Sequence, residues 1–139
     1  MNQVNLEIIT PQKAVYKGEV LAVTVPGTMG SFQILYNHAP LISTLEIGII
    51  KIKLSEDNTR YYATSGGTVE VLRNKILILA DSIELADEID VERAKRALQR
   101  AKERLENKNE KIDTARAEAA LARAVNRLNV AEKYFAGAG

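Results

Sequence analysis

Cysteine and tryptophan are absent from the 139 residues, histidine occurs once and proline three times. Without cysteine there is no disulfide framework, thiol nucleophile or thiolate metal site, a composition compatible with a reducing compartment. The lone histidine, His38, has no second histidine to share a metal with. Its neighbours Asn37 and Pro40 are turn formers, so a turn or surface role outweighs a catalytic one. No stretch approaches the roughly 20 apolar residues that span a bilayer. The N-terminus, Met1-Asn2-Gln3-Val4-Asn5, has no basic region ahead of an apolar run, and a soluble chain is expected. Charge of neither sign dominates: 19 Lys+Arg face 18 Asp+Glu, which gives no argument for nucleic acid or an anionic membrane as the main partner.

What is there changes character once, across Leu85-Ala86-Asp87-Glu88-Ile89-Asp90-Val91-Glu92-Arg93-Ala94. Before this joint, β-branched and aliphatic residues come in short runs between turn residues. Val4-Asn5-Leu6-Glu7-Ile8 alternates, and Glu19-Val20-Leu21-Ala22-Val23-Thr24-Val25 ends at Pro26-Gly27. Ser31 to Tyr36 precedes the break Asn37-His38-Ala39-Pro40. Ile47 to Leu54 and Arg60 to Thr64 flank Ser55-Glu56-Asp57-Asn58 as a hairpin would. Ser65-Gly66-Gly67 has no following Lys-Ser/Thr and no helix start, so it reads as a tight turn or bulge rather than a phosphate loop. About eight to ten strands at this spacing predict an antiparallel β-sandwich or flattened barrel.

After the joint, neither Gly nor Pro appears until Gly137, and Ala, Leu, Glu, Lys and Arg dominate. Asp90 is a good N-cap for a first helix. Val91, Ala94, Leu98, Ala101 and Leu105 step by three and four along one seam. Asn107 to Lys111 breaks the pattern, Asp113 can cap a second helix, and Ala117, Leu121, Ala124, Leu128, Ala131 and Phe135 resume it. The prediction is an α+β chain of two segregated parts. Residues 1–86 form the β-sandwich and residues 87–139 an antiparallel two-helix hairpin, marginal alone and in need of a surface to lie on. Arg93 and Arg100 lie on one face of the first helix, Arg123 and Arg127 on one face of the second. Spacing leaves two readings open. One is a solvated surface laced with pairs such as Glu92 with Arg96; the other is an anion site suited to a polyphosphate. Asp90 and Arg93, three apart, are expected to form a charge-pair latch on the folded hairpin.

His38-Ala39-Pro40-Leu41, the Gly48-Ile49-Ile50-Lys51-Ile52 strand, Ser65-Gly66-Gly67 with Val69-Glu70-Val71, and Leu79-Ala80-Asp81 occur in that order. With Ile89-Asp90-Val91-Glu92-Arg93-Ala94 they give the chain a resemblance, over nearly its whole length, to the epsilon-subunit family of bacterial F-type ATP synthases, in its ATP-binding form. The resemblance implies an ATP site of Glu84, Ile89, Asp90, Arg93, Ala94, Arg100, Arg123 and Arg127, with the arginines facing the phosphates and no metal required. It further implies a non-catalytic, peripheral subunit on the cytoplasmic face of the bacterial inner membrane. Its β half would bind the gamma subunit and the membrane rotor ring. Its hairpin would either fold onto the β half, stabilised by ATP, or extend into the alpha/beta catalytic hexamer and block hydrolysis. One family pattern is missing: Gly-Glu-Leu-Gly-Ile-hydrophobic/Tyr-Pro-Gly is replaced by Gly30-Ser31-Phe32-Gln33-Ile34-Leu35-Tyr36-Asn37, in a loop expected to face the ring. Asn37 can take the left-handed conformation that a Gly would have used. Two other classes compete with this reading. A free-standing enzyme would lack any nucleophile, metal constellation or paired carboxylates beside its arginines. The other is a structural adaptor, β-sandwich plus coiled coil, that binds no nucleotide.

Overall fold

The computed structural model describes residues 2–106 and 114–134. The chain divides into two compact units, Met1–Leu85 and Ala86–Gly139. The first holds ten strands: β1 (Val4–Ile9), β2 (Ala14–Val20), β3 (Ala22–Gly27), β4 (Gly30–Ile34), β5 (Leu41–Leu45), β6 (Gly48–Ser55), β7 (Asn58–Thr64), β8 (Gly67–Leu72), β9 (Lys75–Ala80) and β10 (Ile83–Leu85). They are hydrogen-bonded in the order β10-β7-β6-β3-β5-β8-β9-β1-β2, with β4 paired to β3 off that path. One sheet thus folds back on itself as a flattened sandwich. Its ladders are antiparallel except where β1 meets β9, which run parallel from Asn5↔Lys75 to Ile9↔Leu79.

The period-2 alternation puts Val4, Leu6 and Ile8 of β1, Val23 and Val25 of β3, Ile50 and Ile52 of β6, Val69 and Val71 of β8, and Ile76 and Ile78 of β9 inside. Burying each such side chain contributes about 1.5–3 kcal/mol. Where the sequence suggested one run, Glu19 to Val25, the structure has a corner. β2 ends at Val20 on its ladder with β1, and β3 begins at Ala22 against β6. Leu21 between them donates its N–H to the Lys53 carbonyl at 2.8 Å. The β-branched run persists because both sides of the corner face the same core. Tyr16 of β2, half-buried, has its phenol held above the ordinary value by burial; the Arg60 charge pulls it the other way and Tyr62 adds to the rise.

The expected β6–β7 hairpin forms, closing from Gly48↔Thr64 to Ser55↔Asn58. Ser65-Gly66-Gly67 makes the tight corner into β8, with φ of +117° at Gly66 and +144° at Gly67. The buried Thr64 hydroxyl donates to the Ser82 carbonyl at 3.0 Å, and the Asp81 N–H bonds the Gly66 carbonyl at 2.9 Å. An alanine methyl at Gly67 would lie 2.0 Å from the Leu79 carbonyl oxygen.

The second unit opens with a 3₁₀ turn (Ala86–Glu88), followed by α1 (Val91–Glu106) and α2 (Thr114–Tyr134), an antiparallel hairpin. Ala94 and Ala101 of α1 and Ala117, Ala124, Leu128 and Ala131 of α2 are buried, so the seam is built mostly of methyl groups. The 3₁₀ turn packs against α2. The expected break at Asn107 to Lys111, the cap at Asp113 and the seam residue Phe135 lie outside the described residues. None of the described helices is long and apolar enough to cross a membrane.

Candidate functional site

The first four N–H groups of a helix have no intrahelical partner, and the start of α1 meets that need from its own sequence. The Asp90 carboxylate Oδ1 accepts the Arg93 backbone N–H at 3.0 Å, while the Asp90 carbonyl accepts the Ala94 N–H at 2.9 Å. Ile89, just outside the cap, and Ala94, at the fourth helical position, are both buried, the two places joined in a hydrophobic staple. The run Ile89-Asp90-x-x-Arg93-Ala94 is therefore a helix-start motif in this fold, worth about 1 kcal/mol through its cap.

This corrects the latch expected of Asp90 and Arg93. Both are exposed, and the carboxylate engages the Arg93 amide rather than its guanidinium. A cap and an i, i+3 ion pair need the same spacing, and the unpaired amides at the helix end decide between them. The neighbouring pair also differs. Glu92 meets Lys95 at 3.7 Å, one turn on, in place of the expected Arg96; both side chains are largely in solvent, and the contact contributes little.

Each of the four arginines directly precedes a buried seam residue: Arg93 before Ala94, Arg100 before Ala101, Arg123 before Ala124 and Arg127 before Leu128. They therefore share one flank of the seam on each helix. In an antiparallel pair equivalent flanks face the same side, so the four arginine positions lie along one side of the hairpin. Arg93, Arg100 and Arg123 are exposed and Arg127 is half-buried. Along each axis the members lie roughly 10 Å apart on α1 and 6 Å apart on α2, at 1.5 Å rise per residue. Such a row can meet a multiply charged anion with fork-shaped donors. Of the other residues expected at the site, Ile89 and Ala94 are packed inside and Asp90 is committed to its cap. Glu84 belongs to the β unit, half-buried on β10 opposite Ala63 of β7.

A second feature escaped the sequence reading. Outward-pointing residues of β5, β8, β9 and β1 form rows across the sheet: Ile42↔Glu70↔Leu77↔Glu7, and Thr44↔Thr68↔Leu79↔Ile9. Ile42 is 76% exposed, Leu72 46% and Leu79 47%. A groove of about 650 Å³ runs over this face, with Ile9, Leu72 and Leu77 in it and Glu7, Lys17, Glu70 and Lys75 around them. The available signal was Ile76-Leu77-Ile78-Leu79, which is apolar at both parities. A strand of that kind is expected to be covered on both faces.

The third feature is the loop between β4 and β5. The His38 N–H donates to the Leu35 carbonyl at 3.2 Å, closing a turn with Asn37 at φ +63°. The His38 ring is tied locally, with Nδ1 2.8 Å from the Ala39 carbonyl, as its turn role requires. Leu35 and Tyr36 stay exposed over nearly half of their surface, at 49% and 42%.

Residues 3–86 match the family model described as ATP synthase, Delta/Epsilon chain, beta-sandwich domain, and residues 87–132 match its long alpha-helix domain. The ATP synthase epsilon chain of Desulforamulus reducens is 45% identical over 129 residues, which cover 91% of this chain and 96% of that one. The Staphylococcus aureus epsilon chain is 45% identical over 133 residues, covering 95% and 98%. A chain in the OSCP/F1/c-ring structure of Euglena gracilis mitochondrial ATP synthase has the same fold, with a TM-score of 0.79 at 21% identity over 91% of this chain and 79% of that one.

Proposed function

The chain belongs to the ATP synthase delta/epsilon chain family, whose epsilon chain is a non-catalytic stalk subunit, and from that premise we propose an ATP-sensitive rotor subunit. The β unit joins the gamma shaft to the membrane ring, and the hairpin regulates hydrolysis. This puts the protein at the cytoplasmic face of the bacterial inner membrane as a peripheral subunit. The observation that carries the regulatory part is the row of Arg93, Arg100, Arg123 and Arg127 along one side of a hairpin whose seam is mostly alanine. Each alanine buries little surface, so the folded hairpin is easily outweighed by another partner. ATP held by the arginines stabilises the folded form only through differential affinity, by about 1.4 kcal/mol for each tenfold excess over Kd. When ATP falls, the helices extend toward the alpha/beta hexamer and block hydrolysis. The aliphatic face around Ile42 and Leu79 is the surface assigned to the gamma shaft, and the exposed 35–38 turn is assigned to the ring.

Calorimetry with ATP, without and with Mg²⁺, tests the ligand. Binding is expected in the absence of the metal, tighter for ATP than for ADP. Arg123→Ala or Arg127→Ala should weaken it by about 1 to 3 kcal/mol, the scale of charge-assisted hydrogen bonds. The absence of heat at millimolar ATP would refute the site on the isolated chain. The regulatory arm is tested separately by truncation after Asp87. The residues of the main hydrophobic core all lie in the β unit. The reconstituted enzyme carrying the truncated chain should therefore lose inhibition and keep proton-coupled synthesis. Persistent inhibition, or loss of coupling, would show that the division of labour is wrong.

A second reading has its own support. The cap made by Asp90 explains Ile89, Asp90 and Ala94 structurally with no nucleotide. A structural adaptor whose helices bind a partner coiled coil would need nothing more. The same titration separates the two.

A further inference from the structure

We infer that Asn74 is a positioning residue for the 35–38 turn, standing in for the Pro-Gly pair that Tyr36 and Asn37 replace. A positive φ at the third residue alone, with the His38 N–H returning to the Leu35 carbonyl, is the pattern of a type II turn. Pro at the second position of such a turn presets its φ, and Gly at the third enters the left-handed region freely. Tyr36 supplies no such restraint, and Asn37 enters at φ +63° as one of the few side-chain-bearing residues that tolerate it.

The missing restraint comes from across the sheet. Asn74 Oδ1 accepts the Asn37 N–H at 2.6 Å, and Asn74 Nδ2 donates to Asn37 Oδ1 at 3.3 Å. Asn74 is itself fixed. It forms the β8–β9 turn with Arg73, both at positive φ, and its carbonyl accepts the Asn5 N–H at 2.9 Å. The turn is thereby moored to the β8–β9 hairpin and to the start of β1, and the exposed Leu35 and Tyr36 are presented on a fixed base. A contact surface ordered before binding loses less conformational freedom on binding. This role rests on the proposed meeting of the turn with the rotor ring.

The test uses the full chain. Asn74→Gly removes both bonds and keeps the left-handed turn; Asn74→Asp keeps the acceptor for the Asn37 amide. Hydrogen exchange at the residue-37 amide should accelerate tenfold or more in Asn74→Gly and stay near the unsubstituted rate in Asn74→Asp. Affinity for detergent-solubilised gamma–ring complex should fall several-fold in Asn74→Gly and be restored by Tyr36→Pro with Asn37→Gly, which makes Asn74 dispensable. Unchanged exchange at residue 37 overturns the inference, as does an equal loss of affinity in both backgrounds. Faster exchange with affinity that ignores Asn74→Gly yet responds to Leu35→Ser with Tyr36→Ser overturns the positioning role. Affinity insensitive to both sets overturns the ring reading and leaves the clasp supported by exchange.

Discussion

Gly67→Ala should lower the unfolding free energy of the protein by about 3 kcal/mol or more, the largest effect expected of any single methyl group in it. Two costs add. At φ +144° the backbone occupies a region that is almost closed to other residues, at roughly 1–3 kcal/mol. The new carbon would also lie 2.0 Å from the Leu79 carbonyl oxygen and 2.9 Å from the Ala80 Cα, atoms of the neighbouring strand that cannot rotate away. The strands must part where Gly67 faces Ala80. Gly30→Ala separates the costs, because Gly30 has a comparable φ of +126° with nothing within 4 Å of its added carbon. Urea denaturation of both variants decides the matter. If Gly67→Ala costs no more than Gly30→Ala, the steric account is wrong.

The second large effect is on assembly. Ile42→Glu with Leu79→Glu should leave the free chain within about 1 kcal/mol of its normal stability, since both side chains point outward from the sheet. Incorporation into the rotor should fall by more than about a hundredfold. Each aliphatic side chain fully buried at an interface contributes about 1.5–3 kcal/mol, and the substitution forfeits two of them. It also brings two carboxylates under the partner, one of them directly opposite Glu70 on the row that ends at Glu7. Co-purification of the double variant with gamma, alongside a denaturation curve of the free chain, measures both halves. Normal incorporation would remove this face from the proposed shaft contact.

The architecture was legible where local chemistry acts alone. The switch from alternation to three-and-four spacing marks the passage from β10 to α1 because both patterns are set by backbone period. The flanking position of the arginines is equally local, one residue ahead of each seam position. The corner at Leu21 was hidden, since both its sides are β-branched and both face the core. Asp90 and Arg93 misled for a different reason: a spacing of three serves a cap and a salt bridge alike, and only the count of unbonded amides chooses. Asn37 and Asn74 are 37 residues apart, and no periodicity links them; their pairing exists only because β8 and β9 turn beside the β4–β5 loop. The exposed face was visible in Ile76 to Leu79 as a failure to alternate, although what covers it is not written in this chain.

The parallel pairing of β1 with β9 bears on the order in which the molecule can be made. β1 leaves the ribosome first and pairs at once with β2, yet its other edge stays bare until Lys75 to Leu79 have emerged. Contacts of such long sequence separation form late and slowly. From the completion of β2 until β9 emerges the nascent chain therefore carries an open strand edge, the kind of surface on which unfinished chains join one another. The moment that edge closes is also when the last strand and the hairpin begin to appear. The β unit is thus complete before the helical unit exists, and the first unit of a young chain could fold before its hairpin has formed.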